Sequence, residues 1–219
     1  MNKQTADSVN SSTSQIVRYA PGTRITHWLV AISFVLVALS GLAMFYPPLF
    51  GLSGLFGGGD TMRAVHPWIG IFMVMVFLIL AGKLHRDMRI QQRDRQWLRQ
   101  INDVAANREE NLPEVGRYNA GQKLVYLVAL LSLIVMLFTG LEIWRAYFTA
   151  YFPVDITRFA SLLHAVFAFV LMLTIIVHIY AAIWVKGSVR AMTRGTVSFG
   201  WAWKHHRAWF RDVTKAPLK

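Results

Sequence analysis

The side chains best suited to chemistry in this 219-residue chain are histidines, and four of its seven stand in or at the edge of long apolar runs: His27, His66, His164 and His178. The run FASLLHAVFAFVLMLTIIVHIYAAIWV, residues 159 to 185, carries no charge and contains both His164 and His178. It exceeds the roughly 20 apolar residues that cross a bilayer, and an ionisable side chain at that depth marks function by default. The two are fourteen residues apart, which on a helix puts them within about 40° of one another and about 21 Å apart along the axis. One helix thus offers an imidazole to each half of the membrane. Two haems stacked across a bilayer require that arrangement, provided other helices supply the opposite axial ligands. The alternative is a pair of hydrogen-bonded packing histidines, and partners at matching depths decide between the two.

Such ligands must be carried by membrane helices, and the composition calls for them. Hydrophobic residues make up 55% of the chain, charged residues only 16%, and the mean hydropathy is +0.39, so the class is a polytopic membrane protein. The net charge of +12 accompanies no nucleic-acid motif. It is explained by basic loops between apolar runs. The chain has no cysteine, which excludes disulfides, cysteine-ligated iron–sulfur clusters and covalently attached c-type haem.

The expected fold is an all-α integral membrane four-helix bundle. Residues 1 to 17 read as a disordered cytoplasmic tail, 18 to 185 as the four-span domain and 186 to 219 as a basic cytoplasmic tail with an interfacial amphipathic segment. The spans are expected at about 26 to 46, stopped by Pro47 and Pro48; 66 to 84, with Pro67 in its first turn; 121 to 143; and 159 to 185. A flexible, apolar loop containing GLFGGGD follows the first span, and a short surface helix is expected around 91 to 106. Seven arginines lie in 85 to 120 and eight basic residues in the C-terminal tail, against only Arg63 in 47 to 65 and Arg145 and Arg158 in 144 to 158. Loop lysines and arginines mark the cytoplasmic side, so both termini and the long middle segment are expected there.

With that orientation the depths match in pairs. His66 opens an inward-running span at the outer face, level with His164, and His27 opens the first span at the cytoplasmic face, level with His178. The expected sites are His66 with His164 for an outer haem b and His27 with His178 for an inner one. Gly41 and Gly70 fall on the histidine faces of their helices, where a porphyrin could approach closely. Arg24 and Arg63 each precede a ligand by three residues, where haem propionates or ordinary membrane-anchoring arginines belong. His85, among charges in KLHRDMR, reads as interfacial, and His205 and His206 as solvated tail residues. The segment VGRYNAGQK, residues 115 to 123, combines uncharged Asn119 and Gln122 with Gly116 and Gly121 at the cytoplasmic boundary. It suits a quinone pocket and equally an ordinary helix entry capped by Asn119.

These residues carry a resemblance. THW at 26 to 28, VALSG at 37 to 41, HPWIG at 66 to 70, VGRYNAGQK, LEIWRAYFTAYFP, the LLHA and VHIY histidines, IWVKGS at 183 to 188 and KHHRAWFRD together resemble the cytochrome b, or gamma, subunits of respiratory membrane-bound formate dehydrogenases. The likeness runs from Arg18 to about Asp212. It implies two b-type haems on the four histidines paired above, and a quinone site (menaquinone or ubiquinone) formed by Asn119, Gly121 and Gln122 near His178. It also implies an iron–sulfur (beta) subunit with one membrane anchor, a molybdenum- or tungsten-containing catalytic (alpha) subunit, and a bacterial inner membrane location among lipids. Electrons from formate oxidised outside would cross the two haems and reduce quinone with protons taken from the cytoplasm, building a membrane potential. The N-terminal tail and the GLFGGGD loop depart from the pattern.

Sister cytochromes b of nickel–iron hydrogenase or thiosulfate reductase share the two-haem layout, and YNAGQK is what favours formate dehydrogenase over them. A reading of a different class is a haem-free membrane anchor whose histidines relay protons.

Overall fold

The computed structural model describes residues 9–10, 14–106, 108 and 112–214. Four long helices organise the chain: α1 Pro21–Phe45, α2 Gly59–Leu84, α5 Ala120–Glu142 and α6 Val154–Trp184, each long and apolar enough to cross a membrane. The expected helical class holds, and each helix ends within one residue of its expected end. Three begin earlier than expected, α1 at Pro21, α2 at Gly59 and α6 at Val154, because an apolar run marks the lipid-facing length and not the helix start. α1 opens on a proline, which suits a first turn. α2 follows Gly57 and Gly58, at φ of 82° and 104°, a left-handed geometry that glycine adopts without steric cost. Its first turn carries Asp60, which favours the positive helix end. Pro67 therefore lies inside α2, a correction to its expected first-turn place. The segment after α1 is also a correction, since Pro47–Phe56 is a 3₁₀ helix where a flexible loop was expected.

Contacts divide the chain into two units. One comprises Ile25–Gly82 and Leu127–Ile176, and holds most of the four long helices. Beside large apolar residues such as Met62, Met73, Leu133 and Leu171, its buried positions include small or hydroxylated ones: Ser33, Ser40, Ala43, Ala129, Ser132 and Ala160. Small residues let membrane helices approach closely. α1 meets α6 through Phe45 and Phe169, whose ring centroids are 5.8 Å apart, while Trp68 of α2 stacks edge-on against Trp144 at 5.0 Å.

The other unit comprises residues up to Arg24, Lys83–Tyr126 and Val177 onward. It contains α3 Gln92–Arg99 and α4 Ile101–Ala105, which bear out the short surface helix, and α7 Ser188–Arg194, α8 Phe199–His205 and α9 Arg207–Thr214. Three short strands, β1 Val9–Asn10, β2 Gln15–Val17 and β3 Thr196–Ser198, form an antiparallel sheet in that order, with Ile16 opposite Val197. The expected disordered tail is thus a strand at 9–10 and at 15–17, its remaining positions except Ser14 lying outside the described residues. The expected basic tail, outside residues 215–219, is folded. Ile16, Ala191, Val197, Ala202 and Trp209 make an apolar core, which is why three residues of strand at one end are held by helices from the other.

At the edge of this core Arg18 is only 1% exposed. Its guanidinium lies 4.8 Å from the Trp209 ring, 5.0 Å from Trp201 and 5.6 Å from Tyr118, and donates to the Arg117 carbonyl at 2.6 Å. Cation–π contacts of this kind strengthen when desolvated.

Candidate functional site

His66 and His164 come together. Their ring centroids are 6.5 Å apart with planes inclined at 63°. Two imidazole nitrogens each about 2 Å from a shared ion, with half a ring behind each, put the centroids about 6 Å apart. The separation therefore fits one metal ion held between the two rings, and is too long for a direct hydrogen bond. Each ring is backed by a hydroxyl and a glycine. Ser40 Oγ stands 2.7 Å from His66 Nδ1, and Thr139 Oγ1 stands 3.0 Å from His164 Nδ1. A Cβ on Gly41 would lie 3.6 Å from His66 Cε1, and one on Gly140 only 3.1 Å from His164 Cε1. The first of these is an ordinary contact distance and the second a tight one, so it is at Gly140 that the ring crowds the Cβ position. Gly70 has nothing within 4 Å of the Cβ position, which leaves open space on the His66 face of α2.

His27 lies in the second turn of α1 and His178 near the end of α6, both half-buried, in different units. α6 bears two of the four histidines, yet only 6% of its most apolar window is buried by the chain. Most of its surface is therefore left for lipid, cofactor or partner.

The remaining histidines separate cleanly from these. His85 is exposed just beyond α2. His206, expected to be solvated, is 2% exposed. Its Nδ1 lies 2.7 Å from the Gly116 carbonyl and its Nε2 lies 3.3 Å from an Arg18 guanidinium nitrogen. A carbonyl only accepts and a guanidinium only donates, so Nδ1 carries the hydrogen and the Nε2 lone pair is taken. Burial, and then the Arg18 charge, hold its pKa well below the ordinary 6.5. It is a structural linker and has no lone pair for a metal. The signal in the sequence was the interleaving of Trp201, Trp203 and Trp209 with basic residues.

Arg24 donates to the Thr193 carbonyl, and Arg63 pairs with Asp60 at 3.1 Å on the surface.

The Asn119–Gln122 segment forms a capping box at the start of α5. The Gln122 backbone N–H donates to Asn119 Oδ1 at 2.8 Å, and the Asn119 backbone N–H donates to Gln122 Oε1 at 3.0 Å. Both side-chain oxygens are committed to the helix entry, so what the pair has left for a ligand is NH₂ donors. Donors are what quinone carbonyls accept. Gly121 is crowded by a neighbour, since a Cβ there would come within 3.3 Å of the Trp97 ring. Trp97 sits on α3, which a buried ion pair fixes in place: Lys123 Nζ lies 2.7 Å from Asp94 Oδ2, with side chains 5% and 6% exposed. Lys123 also donates to the Arg89 carbonyl at 2.9 Å. Between α3 and the approach to α5 is a narrow cleft of about 10 Å³, lined by Asp94, Trp97, Val115, Asn119 and Ala120 among others. It is far smaller than the roughly 300–1,000 Å³ usual for ligand pockets, so the cleft alone does not enclose a quinone head.

Residues 18–195 match the family described as prokaryotic cytochrome b561. The chain is 40% identical over 204 residues, 93% of its length and 96% of the relative's, to the formate dehydrogenase cytochrome b556(fdo) subunit of Escherichia coli strain K12. It is 39% identical over 209 residues, 95% and 96% of the two chains, to the nitrate-inducible formate dehydrogenase cytochrome b556(Fdn) subunit of the same strain. A third relative, the formate dehydrogenase cytochrome b556 subunit of Haemophilus influenzae, is 37% identical over 210 residues, 95% of this chain and 88% of the relative.

Proposed function

The chain belongs to the prokaryotic cytochrome b561 family, multi-pass membrane proteins that imply haem b, and we propose that it is the two-haem subunit through which a formate dehydrogenase reduces quinone. Haem b held between two histidines would supply a one-electron carrier. His66 and His164 hold the outer one. The observation that carries this is the 6.5 Å approach of their rings, which fits an ion between them. His27 and His178 hold the inner one, a pairing supported by the helical spacing of His164 and His178 and by the charge bias of the loops.

The four helices sit in a bacterial inner membrane with both termini and the 85–120 segment in the cytoplasm, the side that loop arginines favour. With two haems stacked across the bilayer, the chain accepts electrons at its outer face from an iron–sulfur subunit, itself fed by a molybdenum- or tungsten-containing catalytic subunit. The relatives' names support the formate dehydrogenase context. The weakly charged segments 47–65 and 144–158 suit docking of that partner. At the cytoplasmic end Asn119 and Gln122 present their NH₂ groups to a quinone beside His178, and Gly121 admits Trp97 behind the helix entry.

The test is made in membranes holding the assembled complex. Formate should reduce two b-type components, and added quinone should reoxidise both. Reduction by hydrogen and not by formate would move the chain to a hydrogenase, and the absence of any b-type absorbance would return the histidines to packing or proton relay.

A further inference from the structure

The hydroxyls behind His66 and His164 are arranged alike. Ser40 Oγ is 2.8 Å from the Leu36 carbonyl as well as 2.7 Å from His66 Nδ1. Thr139 Oγ1 is 2.8 Å from the Val135 carbonyl as well as 3.0 Å from His164 Nδ1. A hydroxyl has one hydrogen to give, and a carbonyl can only accept it. Given to the carbonyl one turn back, that hydrogen leaves the oxygen as acceptor toward the ring. Nδ1 of each histidine must then be the donor, and Nε2 keeps its lone pair. The next residue in each case is the glycine against the ring, Gly41 or Gly140. Hydroxyl followed by glycine thus recurs on α1 facing α2, and on α5 facing α6. Ser40 is fully buried and Thr139 is 9% exposed, so water does not compete for either contact.

We propose that Ser40 and Thr139 are the positioning residues of the outer haem, each holding its histidine with Nε2 toward the iron and tuning that ligand by accepting its Nδ1–H bond. This rests on the reading of His66 and His164 as an axial pair. The partner on the far nitrogen of a metal-bound imidazole fixes its tautomer and ring orientation and raises its basicity. A more basic imidazole favours the oxidised iron. A hydroxyl is a milder acceptor than a carboxylate, but one whose own hydrogen is bonded to a helix carbonyl is polarised and accepts more strongly. Removing it leaves a looser, less basic ligand and favours the reduced iron.

The experiment is a redox titration of the b-type absorbance in membranes carrying the complete complex, comparing Ser40→Ala and Thr139→Val with Ser40→Thr and Thr139→Ser. Ser40→Ala and Thr139→Val should each shift one of the two components to a higher potential and leave the other in place. Haem should also be lost more readily, because outer partners of metal-bound histidines are worth about 10–100-fold in affinity. The hydroxyl-keeping variants should titrate as the parent does. If Ser40→Ala does not accumulate, Ser40→Cys, nearly isosteric with a weak sulfur acceptor, gives the same readout. Unshifted potentials with full haem content in Ser40→Ala (or Ser40→Cys) and Thr139→Val would overturn the proposal. His66→Ala separates the two failures. If it loses one component while Ser40→Ala changes nothing, only the positioning role falls, and if it keeps both, the axial pair falls with it.

Discussion

A histidine that ligates and one that packs differ in what occupies their nitrogens. His206 has both taken, by a carbonyl and a guanidinium, whereas in His66 and His164 it is Nδ1 that meets a hydroxyl. His66→Ala or His164→Ala should therefore remove one b-type haem and leave the other, read from the reduced-minus-oxidised spectrum. Equal loss of both in either variant would argue against pairing by depth. At the helix entry, Asn119→Asp keeps a good capping oxygen but gives up the NH₂ donor. It should leave both haems reducible by formate and slow their reoxidation by quinone, while Asn119→Ala also weakens the helix start by about 1 kcal/mol. Gln122→Ala should slow reoxidation in the same way, and unchanged kinetics in Asn119→Asp and Gln122→Ala would argue against a quinone there. The four haem candidates could be picked out because histidine is expensive in lipid and its spacing is easily converted to depth. Ser40 and Thr139 could not, since hydroxyls that bond back to their own helix are ordinary in membrane spans.

Helix α3 is small, yet it backs the Asn119–Gln122 segment through two contacts: Trp97 over Gly121 and the Asp94–Lys123 pair. Removing one member of a buried ion pair leaves the other uncompensated, at a cost of about 3–5 kcal/mol. Lys123→Met should accordingly release α3, seen as faster proteolysis within 85–106 and weaker quinone reoxidation with both haems retained. Protection equal to the parent's would show that Trp97 alone suffices. Gly121→Ala should act through the same contact, by pushing the Trp97 ring away. The apolar runs, with Pro47 and Pro48 after the first, placed the ends of the four long helices, and α3 and α4 lie where one short surface helix is expected. The runs missed the starts of α1, α2 and α6, because first turns are set by proline, glycine and acidic residues outside the apolar run.

At the scale of the whole molecule, the parts read as tails were the least visible in sequence. Strands of two and three residues carry almost no periodicity, and a buried arginine among tryptophans looks, as a string, like a basic interfacial segment. The structure joins Ile16 and Arg18 to residues 191–213 in one core, and His206 holds that core to the Gly116 carbonyl. Its pKa is lowered on folding, so the unfolded chain binds the proton more readily. Stability from this group is complete above the unfolded value of about 6.5 and declines as pH falls below it. The protection of amides in 14–24 and 196–214, measured against their intrinsic exchange rates, should fall as pH drops below about 6.5, and His206→Gln should flatten that dependence. The claim on which everything else depends is that the chain carries two haems, and the direct measurement is extracted haem per polypeptide alongside the dithionite-reduced minus oxidised spectrum of the purified chain. About two b-type haems per chain, the number of bis-histidine sites that His27, His66, His164 and His178 can form, is the expected result, and none in a well-folded preparation would contradict it.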